Sequence, residues 1–277
     1  MERKPIKLVA MDIDGTLATT TKEISPATRQ ALIDLQNQGI RLALASGRPY
    51  KGLLKFAKEL EMDKHNGILI SNNGAKAEEM TSRNVLFEHP LSVEEAQAVL
   101  EHLKAFDVRP MVEDGDYMQV NNVYDCMITN GGREFNVIDY EAHSNGFLLK
   151  ESHDLAKSVN FRPAKILTAG DDTYLAEHWQ EMAAPFEGKL DSMFTAPFYY
   201  EFTAKDTNKG AALAALPFEK DEIAAIGDAQ NDLPMFDAAG VKVAMGNAVD
   251  VLKDAADFVT DTNDNDGIAK WIEAYFG

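Results

Sequence analysis

Apolar residues gather in short, nearly continuous runs towards both ends of the chain, with stretches of helical spacing between them. Residues 6–11 (IKLVAM), 40–45 (IRLALA) and 67–71 (GILIS) are such runs, and they fit strands buried on both faces, as in a parallel sheet. A helix is predicted over 26–38, with Ser25 as N-cap, Pro26 in the first turn and Gly39 as its stop. A second helix is predicted over 49–60. The same alternation returns near the C-terminal end: helix 208–216, strand 222–226, helix 233–239 stopped by Gly240, strands 241–245 and 258–260, and helix 267–276. Strands alternating with helices predict an α/β fold built on a doubly wound, Rossmann-like parallel sheet.

The middle of the chain has a different rhythm. Ser92 and Glu95 form a capping box that opens a helix to about residue 106. Runs 109–112 and 118–123 flank Asp114-Gly115, a hairpin signal. A strand at 165–169, a helix at 174–184 and strands at 192–194 and 199–203 follow. This mixture predicts an α+β unit inserted into the α/β domain: residues 1–85 and 196–277 form the core and 86–195 the insert. The sequence contains no internal repeat and no low-complexity tract.

Length and composition narrow the function. A chain of 277 residues accommodates about two domains. With 45% hydrophobic and 26% charged residues it has the make-up of a globular protein rather than a disordered one. Lys and Arg number 27 against 45 Asp and Glu, a formal charge of −18. Such a surface repels phosphate backbones and anionic lipids, which argues against nucleic-acid and membrane partners. A small anionic substrate stays possible, because a few cations and a metal can reverse the sign inside one pocket. Cys126 is the only cysteine, which excludes an intrachain disulfide and a cysteine-based zinc site. The first apolar run is too short for a signal peptide, and no run approaches the ~20 residues of a membrane span. The expectation is a soluble, cytoplasmic protein, a monomer or weak homo-oligomer.

Four segments carry candidate chemistry. Asp12-Ile13-Asp14-Gly15-Thr16 follows the first predicted strand, where ligands of open α/β sheets bind. An acidic turn is the plain alternative. Ser46-Gly47-Arg48 follows the second strand and offers a hydroxyl, a backbone N–H and a helix start to an anion, although Ser-Gly is also common loop chemistry. Lys209 opens a predicted helix, where a cation is unfavourable unless an anion sits nearby. Gly227-Asp228-Ala229-Gln230-Asn231-Asp232 again puts carboxylates after a core strand. Together these segments hold four carboxylates, a lysine, a hydroxyl and an amide. Carboxylates suit Mg²⁺, and without a cation they would repel one another and take up protons. Lys209 and Ser46 suit the oxygens of a phosphoryl group.

These motifs, in this order and spacing, resemble the haloacid dehalogenase superfamily of phosphatases. Asn73-Gly74-Ala75, Pro234-Met235, Met245-Gly246-Asn247-Ala248 and residues 262–269 (TNDNDGIA) bring the chain closer to the Cof-type, subclass IIB sugar-phosphate phosphatases. The resemblance covers the whole chain; Ala229 and Gln230 are a small departure where many relatives carry glycine.

It implies a Mg²⁺-dependent phosphatase of small phosphate monoesters, with Asp12 as the nucleophile that becomes an aspartyl-phosphate. Asp14 would protonate the leaving alkoxide and then deprotonate water. Thr16, Ser46, Gly47, Arg48, Asn73, Lys209 and Asn231 would hold phosphate or substrate. Mg²⁺ would be bound by Asp12, the Asp14 backbone carbonyl and Asp228, with Asp232 acting through water or orienting Lys209. The insert would be a lid that selects the sugar. The physical logic agrees: a carboxylate nucleophile approaches a phosphate dianion only when cations screen the repulsion. A poor alkoxide leaving group also needs a proton donor.

Two rival readings use the same residues. A phosphotransferase or mutase of the same superfamily would return the phosphoryl group to another hydroxyl. A receiver-type phosphoacceptor also clusters aspartates on such a sheet, but is normally about half this length and lacks an insert. Asp264, Asp266 and Gly267 nearly match a calcium loop, yet position one would be Thr262, and a loop capping the last helix is the better reading. Residues 112–116 (VEDGD) read as a hairpin turn. The six histidines show no metal spacing. Val99, Leu103 and Phe106 read as core.

Overall fold

The structure, a computed structural model, describes residues 5–277. Residues 1–4, the start of the N-terminal stretch considered above, lie outside the described residues. Two compact units divide the chain. One runs to Glu88 and resumes over Asn208–Gly277; the other is His89–Thr207.

The first unit begins with β1 (Leu8–Met11), α1 (Pro26–Asn37), β2 (Arg41–Ala45), α2 (Tyr50–Glu59), β3 (Ile68–Ser71), β4 (Lys76–Glu79) and β5 (Val85–Glu88). Every residue of β1 is buried, as its unbroken apolar run requires. The Ser25 hydroxyl caps α1 by accepting from the Thr28 N–H, with Pro26 in the first turn.

Within the inserted unit follow α3 (Val93–Leu103), β6 (Arg109–Asp114), β7 (Tyr117–Val120), β8 (Met127–Asn130), β9 (Arg133–Asn136), α4 (Val137–Asn145) and β10 (Leu148–Glu151). The unit closes with α5 (Leu155–Ser158), β11 (Lys165–Ala169), α6 (Asp172–Ala183), β12 (Leu190–Ala196) and β13 (Tyr199–Ala204). Its six-stranded sheet has the order β10-β7-β6-β11-β13-β12, with β7 and β10 parallel and the other pairs antiparallel. Alternate residues serve opposite faces. Val112, Ile166, Tyr200 and Phe202 join Val99 and Leu103 of α3 in one core, with Phe106 packed against it. Met111, Met118, Val120, Leu167 and Tyr199 form the second core with Val137 and Ile138 of α4. The Ser92–Glu95 capping box is present, and Asp114-Gly115 lies in the β6–β7 turn, with Gly115 at φ 59°.

The boundary expected at 195/196 falls instead between Thr207 and Asn208. β13 lies between β11 and β12, so cutting before it would leave a central strand without its sheet.

The first unit then continues with α7 (Lys209–Ala214), β14 (Ile223–Gly227), α8 (Leu233–Ala238), β15 (Val241–Ala244), α9 (Asp250–Ala255), β16 (Phe258–Val259) and α10 (Gly267–Phe276). Its eight-stranded sheet has the order β16-β15-β14-β1-β2-β3-β4-β5. The first six strands in that order run parallel, and β4 and β5 add an antiparallel edge. The chain winds from β1 through β2 and β3 to one side and from β14 through β15 and β16 to the other. The switch point therefore lies between the carboxyl ends of β1 and β14, where open α/β sheets bind ligands. Met11 stands opposite both Ile226 and Leu44, so Asp12, Ala45 and Gly227 emerge at one level. Among the described residues no helix is long and apolar enough to cross a membrane.

Candidate active site

Asp12 leaves β1 with its N–H still donating to the Ile226 carbonyl, 3.1 Å away on β14. Its carboxylate therefore projects at the switch point. Carboxylate oxygens of Asp12, Asp228 and Asp232 lie within 4.8 Å of one another. Lys209 reaches them from the start of α7, donating to Asp12 Oδ1 at 2.6 Å and Asp232 Oδ1 at 2.7 Å, and its side chain is wholly buried. Asp232 Oδ2 accepts the backbone N–H groups of Asp228 and Ala229, each at 3.0 Å. Both Asp232 oxygens are thus engaged inside the protein, which leaves Asp12 and Asp228 the better placed to meet a cation. Thr16 donates its hydroxyl to Asp228 Oδ1 at 2.7 Å.

Three glycines allow this convergence. Gly15 has φ +90°, and a Cβ there would stand 2.3 Å from Asp228 Oδ2. Gly74, at φ +100°, lets the turn after β3 meet Asn208 and Lys209; a Cβ would stand 2.1 Å from the Asn208 carbonyl oxygen. Gly210 lets α7 touch α8, since a Cβ would stand 2.0 Å from the Pro234 carbonyl oxygen. Replacing Gly15 by Ala is expected to displace Asp228 as well as strain the backbone, at a cost of roughly 1–3 kcal/mol. A thermal melt of Gly15→Ala within a degree of the parent would contradict that packing.

The electrostatics are short of positive charge. Burial, helped by the neighbouring Asp232 and Asp228, pushes the Asp12 carboxyl up to about 7 despite Lys209. Asp228 is also raised, chiefly by burial. For Lys209, burial opposes the charged form, but Asp12 and Asp232 outweigh it and hold the proton more firmly than usual. Three carboxylates sharing one ammonium fit a site for a divalent cation, and oxygen-only donors are what Mg²⁺ takes.

Asp14 stands apart from this cluster. Arg48 grips its carboxylate with a two-pronged contact, Nε and Nη2 each at 2.8 Å, and Lys22 donates to Oδ1 at 2.9 Å. Burial opposes ionisation, but these cations outweigh it and hold Asp14 at about 2. The turn after β3 joins the segment after β2: Asn73 N–H donates to the Ser46 carbonyl and Asn72 N–H to that of Arg48, both at 2.9 Å. The Ser46 hydroxyl accepts the Arg48 N–H at 3.3 Å. Asn231 donates to Asn73 Oδ1 at 3.4 Å. Gly47 lies between Ser46 and Arg48 on the same segment.

Two features escaped the sequence reading. Lys22 gave no signal, being one lysine in a polar loop. The segments around Asn247 and 262–266 were noted only as part of a resemblance and as a helix cap, and they clamp the loop that follows β1. Asn247 donates to the Gly15 carbonyl at 2.8 Å, Asn263 to that of Ala18 at 2.8 Å, and Asp264 accepts the Thr20 N–H at 2.8 Å. Asp266 accepts from the Ser25 hydroxyl. Asp264 and Asp266 therefore have work within the fold that a calcium loop would not give them.

The site thus joins carboxylates at two adjacent strand ends of a doubly wound sheet with a buried lysine beside them. The chain belongs to the haloacid dehalogenase-like hydrolase family, whose sequence profile matches residues 9–272. Among its curated relatives is the 5-amino-6-(5-phospho-D-ribitylamino)uracil phosphatase YcsE of Bacillus subtilis, 29% identical, over 96% of this chain and 94% of that one. A haloacid dehalogenase-like hydrolase from Bacteroides thetaiotaomicron is similar in structure: TM-score 0.87 and 34% identity, covering 97% of this chain and 99% of the other. The subclass IIB sugar phosphatase BT4131 shares the fold at 23% identity and TM-score 0.75, over 98% and 99% of the two chains.

Proposed function

We propose that this hydrolase is a Mg²⁺-dependent phosphatase of small phosphate monoesters, sugar and polyol phosphates among them, acting through a phosphorylated Asp12. The observation that carries the reading is the convergence of Asp12, Asp228, Asp232 and Lys209 at the switch point, with Asp14 two residues beyond the nucleophile. The YcsE relative is named for a substrate with a phosphorylated ribityl chain, which favours polyol-like leaving groups.

In this reading Asp12, Asp228 and the Asp14 carbonyl would hold Mg²⁺, which when bound screens the negative charge of the phosphoryl oxygens and the carboxylates. Lys209 and Ser46 hold the same oxygens from the protein side, with Thr16 fixing Asp228 and Asn73, Asn231 and Gly47 in the roles of substrate-binding residues. An Asp12 oxygen attacks phosphorus in line with the ester bond, which breaks. The leaving alkoxide takes a proton from Asp14. Asp14 then removes a proton from water as its oxygen attacks the phosphorus of the acyl phosphate, releasing inorganic phosphate and the Asp12 carboxylate.

Held by Arg48 and Lys22, Asp14 is ionised, so the first step requires that one of these cations turn away from it. Arg48, beside the phosphoryl-binding Ser46, is the one substrate oxygens would draw off, and losing it lets the Asp14 pKa rise.

The test is phosphate release from a panel of sugar and polyol phosphates with and without chelator. Activity should vanish in EDTA and return with added Mg²⁺. Turnover indifferent to chelation would contradict the metal site. Transfer to added alcohols without phosphate release would make the protein a phosphotransferase.

A further inference from the structure

Lys22 is more than half exposed, and an exposed ion pair adds little to stability. Its backbone nevertheless has φ 64°, a left-handed conformation that glycine adopts without strain. Its position is fixed from two sides. The Lys22 N–H donates to the Thr19 carbonyl, and the Thr19 N–H to that of Glu23, closing a tight turn. The N–H and hydroxyl of Thr20 both bond Asp264 Oδ1, tying that turn to the loop before α10. From this anchored turn the Lys22 ammonium reaches Asp14 Oδ1 at 2.9 Å, while Arg48 approaches the same carboxylate from the segment after β2.

The two cations have different competing claims. Arg48 adjoins Ser46 and is positioned to turn to substrate oxygens. Lys22 sits on the loop after β1, the same loop that carries Asp14. We propose that Lys22 is a positioning residue for hydrolysis, keeping the Asp14 carboxyl group aimed at the leaving oxygen when Arg48 turns to the substrate. The inference rests on the reading of Asp14 as acid and base.

The test compares two leaving groups. Glycerol 3-phosphate releases an alkoxide that needs a proton, whereas p-nitrophenyl phosphate releases a stable phenolate that hardly does. Measured as leaving-group release in a single turnover, before the shared hydrolysis of the acyl phosphate, Lys22→Met and Lys22→Gly should slow glycerol 3-phosphate on the order of ten- to a hundredfold, the scale of a misplaced catalytic group. The single-turnover burst of p-nitrophenolate should stay within about twofold, because it precedes the hydrolysis of the acyl phosphate in which Asp14 acts as base. Lys22→Arg should restore most of the loss. Because Gly relieves the left-handed backbone, Lys22→Gly should melt no lower than the parent while showing the kinetic defect, which separates positioning from folding. Equal losses on both substrates, or none on glycerol 3-phosphate, would overturn the proposal. Asp14→Asn must show the same leaving-group bias more strongly. If it instead slows the single-turnover release of both leaving groups alike, the acid reading of Asp14 fails, and the Lys22 proposal with it.

Discussion

Asp12→Asn is expected to abolish turnover and leave the fold in place. An amide oxygen can still accept from Lys209, which keeps Asp232 as its second partner, so the local hydrogen bonding survives. What disappears is the nucleophile and one anionic ligand. Losses on removing a nucleophile run from about 10⁴- to 10⁶-fold. The stability consequence has a definite sign. A carboxyl raised from 3.8 to about 7 in the folded protein binds its proton more tightly there than in the unfolded chain. Its contribution is therefore complete below about 4 and is lost as pH climbs through 7. In chelator at pH 8, Asp12→Asn removes that penalty and should melt no lower than the parent. Residual turnover of more than a few per cent, proportional to enzyme across independent preparations, would remove Asp12 from the nucleophile role.

Lys209→Met should damage both activity and stability. The ammonium is wholly buried between Asp12 and Asp232, and breaking a buried charge pair from one side costs about 3–5 kcal/mol. The remaining carboxylates would be left facing one another without their cation. The stability deficit should therefore shrink as pH falls and Asp12, already raised to about 7, takes up its proton, and shrink again when Mg²⁺ is added. Losing one preorganised cation opposite the phosphoryl oxygens should lower kcat by on the order of 10²- to 10³-fold. A melting curve unchanged at pH 8 in chelator would show that Lys209 does not neutralise this cluster.

The core of the first unit was legible because strands buried on both faces leave an unbroken apolar run, and β1 and β14 are such runs. The antiparallel edge formed by β4 and β5 was not. Its KAEE segment looks like a solvated stretch, yet Glu78 and Glu79 are buried through pairing with Lys76, Arg83 and Arg41. Charge pairing across the sheet hides burial from any hydropathy pattern. The β8–β9 hairpin was missed although Gly131-Gly132, both at positive φ, sits at its turn. The candidate site was legible because its side chains follow strand ends, where sequence position implies place. Lys22 was not, because its proximity to Asp14 depends on a loop clamped by Asp264, a residue some 240 positions away. The same clamp explains why Asn247 and residues 262–266 belong with the site: they fix the loop that carries Asp14 and Gly15.

Whether Asp12 carries the phosphoryl group is tested most directly by trapping the intermediate. The enzyme is quenched during turnover on glycerol 3-phosphate and treated with borohydride, which reduces an acyl phosphate to an alcohol. The digested peptides are then read by mass spectrometry. Homoserine at position 12, absent when substrate is omitted, is the expected result. Turnover that proceeds with Asp12 unmodified, or with the label on another carboxylate, would contradict it.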